Sequence, residues 1–211
     1  MTRTNQSYWN QLWRDLNAVG DPSTWHRRLI EAHSEKQRHY HNLQHLEECL
    51  GELDTVSLLT KQPKIIEMAL WFHDAVYDPR SSTNEEDSAN LAVACLTTAN
   101  LTTETVEVVR QLILCTKTHQ PGTTPDAALL IDIDLAILGQ PAARFKVYEQ
   151  GIKAEYSWVP EATYAQKRTE ILTGFLRRPT IYRTEKLKQK YEATARTNLE
   201  NAITLLQTSP S

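Results

Sequence analysis

The sequence predicts an all-α protein. Three observations carry that prediction. Apolar residues recur at intervals of three and four through most of the chain, the period of a helix face. Glycine is scarce, with six in 211 residues, and Ala, Leu, Glu, Gln, Lys and Arg fill the long stretches, a composition that favours helices. Breaks rich in Pro and Gly fall between the periodic segments, and no clear run alternates apolar and polar residues as a half-buried strand would.

The elements follow in order. "GDPST" at 20–24 separates an N-terminal helical stretch from the next. Leu43, Leu46, Leu50 and Leu53 mark one face of a helix, and Ile65, Ala69, Phe72 and Val76 mark the next, with Pro63 between them. The Asp78-Pro79 step is expected to end the helix that carries "WFHD", because a residue before proline is pushed away from helical geometry. Thr83 or Asn84 can cap the following helix, whose first turn holds Glu85 and Glu86, on the favourable side of its dipole. Ala89, Ala92, Val93 and Leu96 form its stripe, and Val106, Val109 and Ile113 form another. After "HQPGTTPD" comes "ALLIDIDLAILG" at 128–139, an apolar run holding two acids. Such a run suits a buried strand or a buried helix; its helical surroundings favour the helix. "GQPA" at 139–142, Pro160 and Pro179 punctuate what remains, and Leu187, Tyr191, Ala195, Leu199, Ile203 and Leu206 form a long final stripe. The length suits one domain, 1–211, with a sizeable core.

Composition narrows the function classes. Apolar residues are 40% and charged residues 23%, as in ordinary soluble domains. A net charge of −3 gives no footprint for a nucleic-acid duplex or an anionic membrane. No apolar run approaches bilayer-spanning length, and the polar start "MTRTNQSYWNQLWRDL" is not expected to be a signal peptide. Cys49, Cys95 and Cys115 are odd in number, sit in apolar helical context and lack metal-ligand spacing. They read as buried thiols, and a cytoplasmic location is the expectation. His26, His33 and His39 read as surface residues. Trp9, Trp13, Trp25 and Trp158 read as core or rim aromatics.

The remaining histidines and the buried acids raise a chemical question. His41 and His45 are four apart, so a helix would stack them on one face, away from the leucine stripe. Such a pair is a weak metal signal by itself. His73 and Asp74 lie inside "ALWFHDAVY", and Asp132 and Asp134 lie inside "LLIDIDLAIL". A buried carboxylate costs several kcal/mol unless it is paired or holds a cation. A shared divalent cation would satisfy the acids and the imidazoles together, because both are suitable ligands. On a helix Asp132 and Asp134 point roughly 200° apart, so one ion is not expected to use both; on a strand they would share a face.

The pattern of a His, an adjacent His-Asp pair and a distant Asp resembles the HD superfamily of metal-dependent phosphohydrolases. The likeness is to its small bacterial branch, and five blocks carry it: "RHYHNLQHL", "WFHDAVYD", "NEEDSA", "TKTH" and "DIDLAILG". "EY", "KR" and "ARTNL" extend it toward the C-terminus. The resemblance implies a helical HD-type domain with a motif core at about 38–139, on which helices of 140–207 pack. It implies His45, His73, Asp74 and Asp134 as ligands of a divalent ion (Mn, Mg, Ni, Co, Fe or Zn). "YHNLQH" is also similar to a block of cyclic-nucleotide phosphodiesterases. That likeness implies His41 as the acid that protonates the leaving oxygen, with Asp74 orienting the nucleophile. Related deoxynucleotide triphosphohydrolases imply Asp134 as the ligand of the "DID" pair, with Asp132 as its supporting partner or an alternative ligand.

Arg38, Lys117 and His119 are candidates to hold phosphate oxygens. His119 with Glu86 is the alternative set for a second metal, and Glu155, Tyr156 and Arg168 are weaker candidates. The implied activity is hydrolysis of a phosphoester or phosphoanhydride, in a nucleotide or small phosphorylated metabolite, with a homo-oligomer as one possible assembly. Two other readings share the residues: a di-iron HD-type oxygenase, and a regulatory module that binds a nucleotide without hydrolysing it. A haloacid-dehalogenase-type phosphatase is excluded, since "DIDLA" lacks the strand-borne "DxDxT" that it requires.

Overall fold

The structure is a computed structural model that describes residues 2–120 and 124–208. It is all-helical among those residues, as the periodicity predicts. Ten α-helices run in order: α1 (Gln6–Asp15), α2 (Pro22–His33), α3 (Leu43–Val56), α4 (Pro63–Phe72), α5 (Asn84–Thr98), α6 (Thr103–Leu114), α7 (Pro125–Asp134), α8 (Ala142–Glu155), α9 (Glu161–Leu176) and α10 (Glu185–Thr208). Short 3-10 turns occupy Ser57–Leu59, Cys115–Lys117 and Leu135–Gly139. None of the described helices is long and apolar enough to cross a membrane. The chain divides into two compact units, Met1–Ile131 and Asp132–Ser211.

The first unit is built around α4. Every residue from Ile65 to Phe72 is buried, and a helix buried all round belongs at the centre of a core. It contacts α1, α3, α5 and α6. Its one acid, Glu67, accepts from Arg3 Nη2 and Lys64 Nζ at 2.9 Å each. That pairing offsets the desolvation a buried carboxylate suffers. Trp9 packs edge-on to Trp71 at 5.0 Å between ring centroids, and its Nε1–H donates to Pro22 O at 2.8 Å. Trp9 and Trp13 are thus core aromatics, as predicted, while Trp158 is exposed.

Caps set the helix starts. Asn5, Asp21 and Asn42 each accept from the backbone N–H two residues on, and Thr102 accepts from Thr105 N–H. These bonds satisfy donors that a helix start leaves unpaired. Two helix boundaries differ from the sequence reading. α4 ends at Phe72, six residues before Asp78, so His73 and Asp74 stand in the turn that leaves it. α3 begins only at Leu43, so His41 precedes the helix that carries His45.

His33 is also a correction. It was expected at the surface, yet it is 1% exposed. It ends α2, where its Nδ1 pairs with Leu29 O at 3.0 Å and its Nε2 is a buried atom with no hydrogen-bond partner. Burial pushes its pKa down to about 3, against the opposing bond to Leu29; the charge of Arg38 adds to the fall.

The second unit is tied together by side-chain to backbone bonds. Asp132, fully buried, accepts from the N–H groups of Arg183 and Thr184 and from the Thr184 hydroxyl at 2.6–2.9 Å. It thereby caps the chain entering α10. Asn198 on α10 donates to Leu138 O and Gln140 O at 2.8 and 2.9 Å, and Tyr182 donates to Leu135 O at 2.9 Å. Arg168 pairs with Glu149 and donates to Tyr148 Oη at 2.7 Å. These contacts account for Arg168 as a buried structural cation rather than a substrate contact. Gly139 lies against Tyr191, whose side chain a Cβ at 139 would overlap.

Two outcomes follow from this packing. Gly139→Ala is expected to destabilise the fold by about 1–3 kcal/mol through overpacking, read from the denaturant midpoint. His33 binds a proton in the unfolded chain below about pH 6.5 and in the folded chain only below about 3. Its contribution to stability is therefore complete above pH 6.5 and falls as pH drops through that window, by on the order of 1.4 kcal/mol per pH unit. Replacing it with Gln should flatten that part of a stability–pH curve.

Candidate metal centre

His73 is aimed by the helix that precedes it. Its backbone continues the α4 geometry (φ −56°, ψ −35°), which returns the ring over the last turn. There Nδ1 lies 2.7 Å from Leu70 O. A carbonyl only accepts, so Nδ1 carries the hydrogen, and a neutral ring then presents a lone pair at Nε2. That is how second partners of metal-binding histidines fix the tautomer.

The His73 Nε2 faces two other polar atoms. His45 Nε2 lies 3.1 Å away. Asp74 Oδ2 lies 3.1 Å from His73 Nε2 and 3.4 Å from His45 Nε2. His45 and His73 are 2% and 1% exposed. A neutral His73 would set its lone pair against a carboxylate oxygen, and two acceptors at that distance repel. Positive charge removes the repulsion, either as a proton on the ring or as a cation. A proton serves one pair; a cation among the three serves all of them. Burial by itself raises the Asp74 pKa, but the charges of His73 and His41 and the bonds from His45 and His73 hold the carboxyl well below its ordinary range. Asp74 is thus ionised.

The surroundings of this cluster sort the other candidates. His41 is half-buried and stacks on Tyr77 at 4.3 Å, with its ring 6.0 Å from that of His45. It therefore borders the cluster from the loop before α3 rather than from the same helix. Arg38 was a candidate phosphate clamp, and here structure and expectation differ. Its guanidinium is buried and donates to His41 O at 3.1 Å, Asp74 O, Ala75 O at 3.2 Å and Glu35 Oε2 at 3.0 Å. It pins the turn that carries His41 to the turn that carries Asp74.

Lys117 and Glu86 form an ion pair with each other, and Lys117 Nζ also donates to Ser82 O at 2.9 Å. Glu86 is therefore already matched to a lysine, which weakens it as a second-metal ligand. His119 is half-buried with a left-handed backbone (φ 46°), next to residues outside the described set. In the second unit, Asp132 directs both oxygens to residues 183 and 184, while Asp134 is half-buried at the end of α7. The helical state of this segment holds the two acids on different sides, as the angular argument predicts. Glu155 is buried and Tyr156 half-buried at the end of α8.

Cys49 was missed. The sequence reading found no metal-ligand spacing among the cysteines, yet Cys49 Sγ lies 3.8 Å from both ring nitrogens of His45. Ligand atoms of His45, Cys49 and His73 all lie within 4.8 Å of one another. The overlooked signal is the four-residue step from His45 to Cys49, which places both on one side of α3. These three side chains belong to a group that could hold a metal ion, and Asp74 Oδ2 stands against both of its imidazoles.

The chain matches no family model, no curated protein and no solved structure.

Proposed function

We propose that the protein is a divalent-metal-dependent phosphohydrolase acting on a phosphoester or phosphoanhydride. One observation carries the metal half of this reading: the Nε2 atoms of His45 and His73 meet 3.1 Å apart beside one Asp74 oxygen. The phosphohydrolase half rests on the likeness of the five motif blocks to HD proteins, which is an argument by analogy.

His45, His73 and Asp74 would hold the ion, and Asp134 is the proposed fourth ligand. When bound, a divalent cation supplies Lewis acidity, lowering the pKa of water and offsetting phosphoryl charge. The chain's own residues do the rest. Leu70 O holds His73 in the tautomer that binds through Nε2. Arg38, through the backbone carbonyls of 41 and 74, keeps the two sides of the cluster in register. Asp74 is ionised and orients the attacking water. His41, half-buried and held by Tyr77, delivers a proton to the leaving oxygen. His119 is the remaining candidate for a phosphate oxygen, and a nucleotide or small phosphorylated metabolite is the proposed substrate.

A panel of nucleotides and phosphorylated metabolites, tested with several divalent ions, checks this reading. Phosphate release is expected from the parent protein, with His73→Ala and Asp74→Ala abolishing it. His41→Ala should lower kcat by roughly 10²–10⁴-fold while leaving metal affinity unchanged, whereas Asp134→Asn should weaken metal binding. Equal turnover by the parent protein and the His73 and Asp74 variants would place the chemistry elsewhere.

A further inference from the structure

We propose that Cys49 binds the same ion as a thiolate, and that this sulfur makes the centre select zinc, cobalt or ferrous iron over magnesium. The inference rests on the metal reading above and deepens it.

Position comes first. Cys49 sits one turn beyond His45 on α3 and is 2% exposed. Its sulfur lies 3.8 Å from the Nε2 and from the Nδ1 of His45. The donor spacings are of the size that a shared ion needs. Zinc binds imidazole nitrogen at about 2.0–2.1 Å and thiolate sulfur at about 2.3 Å, which at a tetrahedral angle puts the two donors roughly 3.5 Å apart. The same bond lengths put two imidazole nitrogens roughly 3.3–3.4 Å apart. The observed Nε2 to Nε2 separation of 3.1 Å lies close to the second value; the sulfur, 3.8 Å from both ring nitrogens of His45, stands over the ring and not along the Nε2 lone pair, so ligation requires the Cys49 side chain to rotate toward Nε2.

The donor set then decides which ion is preferred. Two imidazoles and a carboxylate alone leave the choice open among borderline and harder divalent ions. A thiolate changes this, because sulfur is a soft donor suited to zinc and to iron, whereas magnesium keeps oxygen ligands and several waters. On ligation the Cys49 S–H bond breaks, its proton passes to solvent and the sulfur–metal bond forms. No electron is transferred. Cys95 provides the internal comparison: it is also buried, on α5, but burial alone dominates its surroundings and pushes its thiol pKa up.

Cobalt titration of the full chain tests the proposal. Cobalt bound to a thiolate gives a near-ultraviolet charge-transfer band, and bound cobalt of any ligation gives visible d–d bands, so the two readouts separate sulfur ligation from metal binding. The expected result is a charge-transfer band that saturates at one cobalt per chain in the parent protein and in Cys95→Ser. In Cys49→Ser the band should be lost while d–d bands remain, with affinity roughly 10-fold or more weaker. Excess magnesium should not displace the cobalt; zinc should. Circular dichroism checks that the variant is folded, and the band in the parent protein is decisive without any variant. Visible bands without a charge-transfer band in the parent protein, or a band that persists in Cys49→Ser, would overturn the role of Cys49 and leave the metal centre standing. Failure of cobalt and zinc to bind would overturn both.

Discussion

A single contact organises this molecule: His73 Nε2 against Asp74 Oδ2 at 3.1 Å. The Leu70 carbonyl claims the hydrogen on Nδ1, so the facing nitrogen is electron-rich unless something positive joins it. The fold invests several elements in maintaining that arrangement. α4, buried from Ile65 to Phe72, supplies a platform that ends one residue before His73. The Asn42 cap starts α3 so that His45 falls in its first turn. Arg38 bonds carbonyls on both sides of the cluster. Each bond from a charged donor of this kind contributes about 1.5–3 kcal/mol, and together they tie the turn carrying His41 to the turn carrying Asp74.

Three acids, Glu67 and Asp132 buried and Asp74 half-buried, meet three different fates. Glu67 is neutralised by Arg3 and Lys64. Asp132 is solvated by the amide groups and hydroxyl of residues 183 and 184. Asp74 alone of these three faces imidazole nitrogens. The rule that a carboxylate withdrawn from water requires compensation therefore holds at all three, but it does not by itself identify a metal ligand. What singles out Asp74 is the kind of group opposite: two imidazole nitrogens that meet each other at 3.1 Å beside one of its oxygens.

Much of this was legible before any coordinates. The helices, their stripes and the His-Asp pair all follow from residue periods and from polar groups placed in apolar runs. The limits have physical causes. Asn42 reads as part of "YHN", but its side chain accepts from the Gln44 N–H and caps the start of α3, so His41 and His45 are not helical neighbours. His33 looks polar in sequence; only the packing of α2 shows it to be buried. Arg38 offers a fork suited to phosphate, and nothing local reveals that the carbonyls of residues 74 and 75, more than thirty positions on, occupy it. Cys49 follows His45 by one helical turn, a spacing as informative as a pair of histidines, yet a cysteine in a leucine-rich helix reads first as packing.

The most direct test of the cluster is the ¹⁵N chemical shifts of its imidazole rings, recorded without metal and after one equivalent of zinc. The account predicts that His73 keeps its hydrogen on Nδ1 throughout, and that zinc moves the Nε2 resonances of both His45 and His73 together. Rings that stay doubly protonated and unmoved on adding zinc would mean that protons alone hold the three groups together, and the metal centre would have to be abandoned.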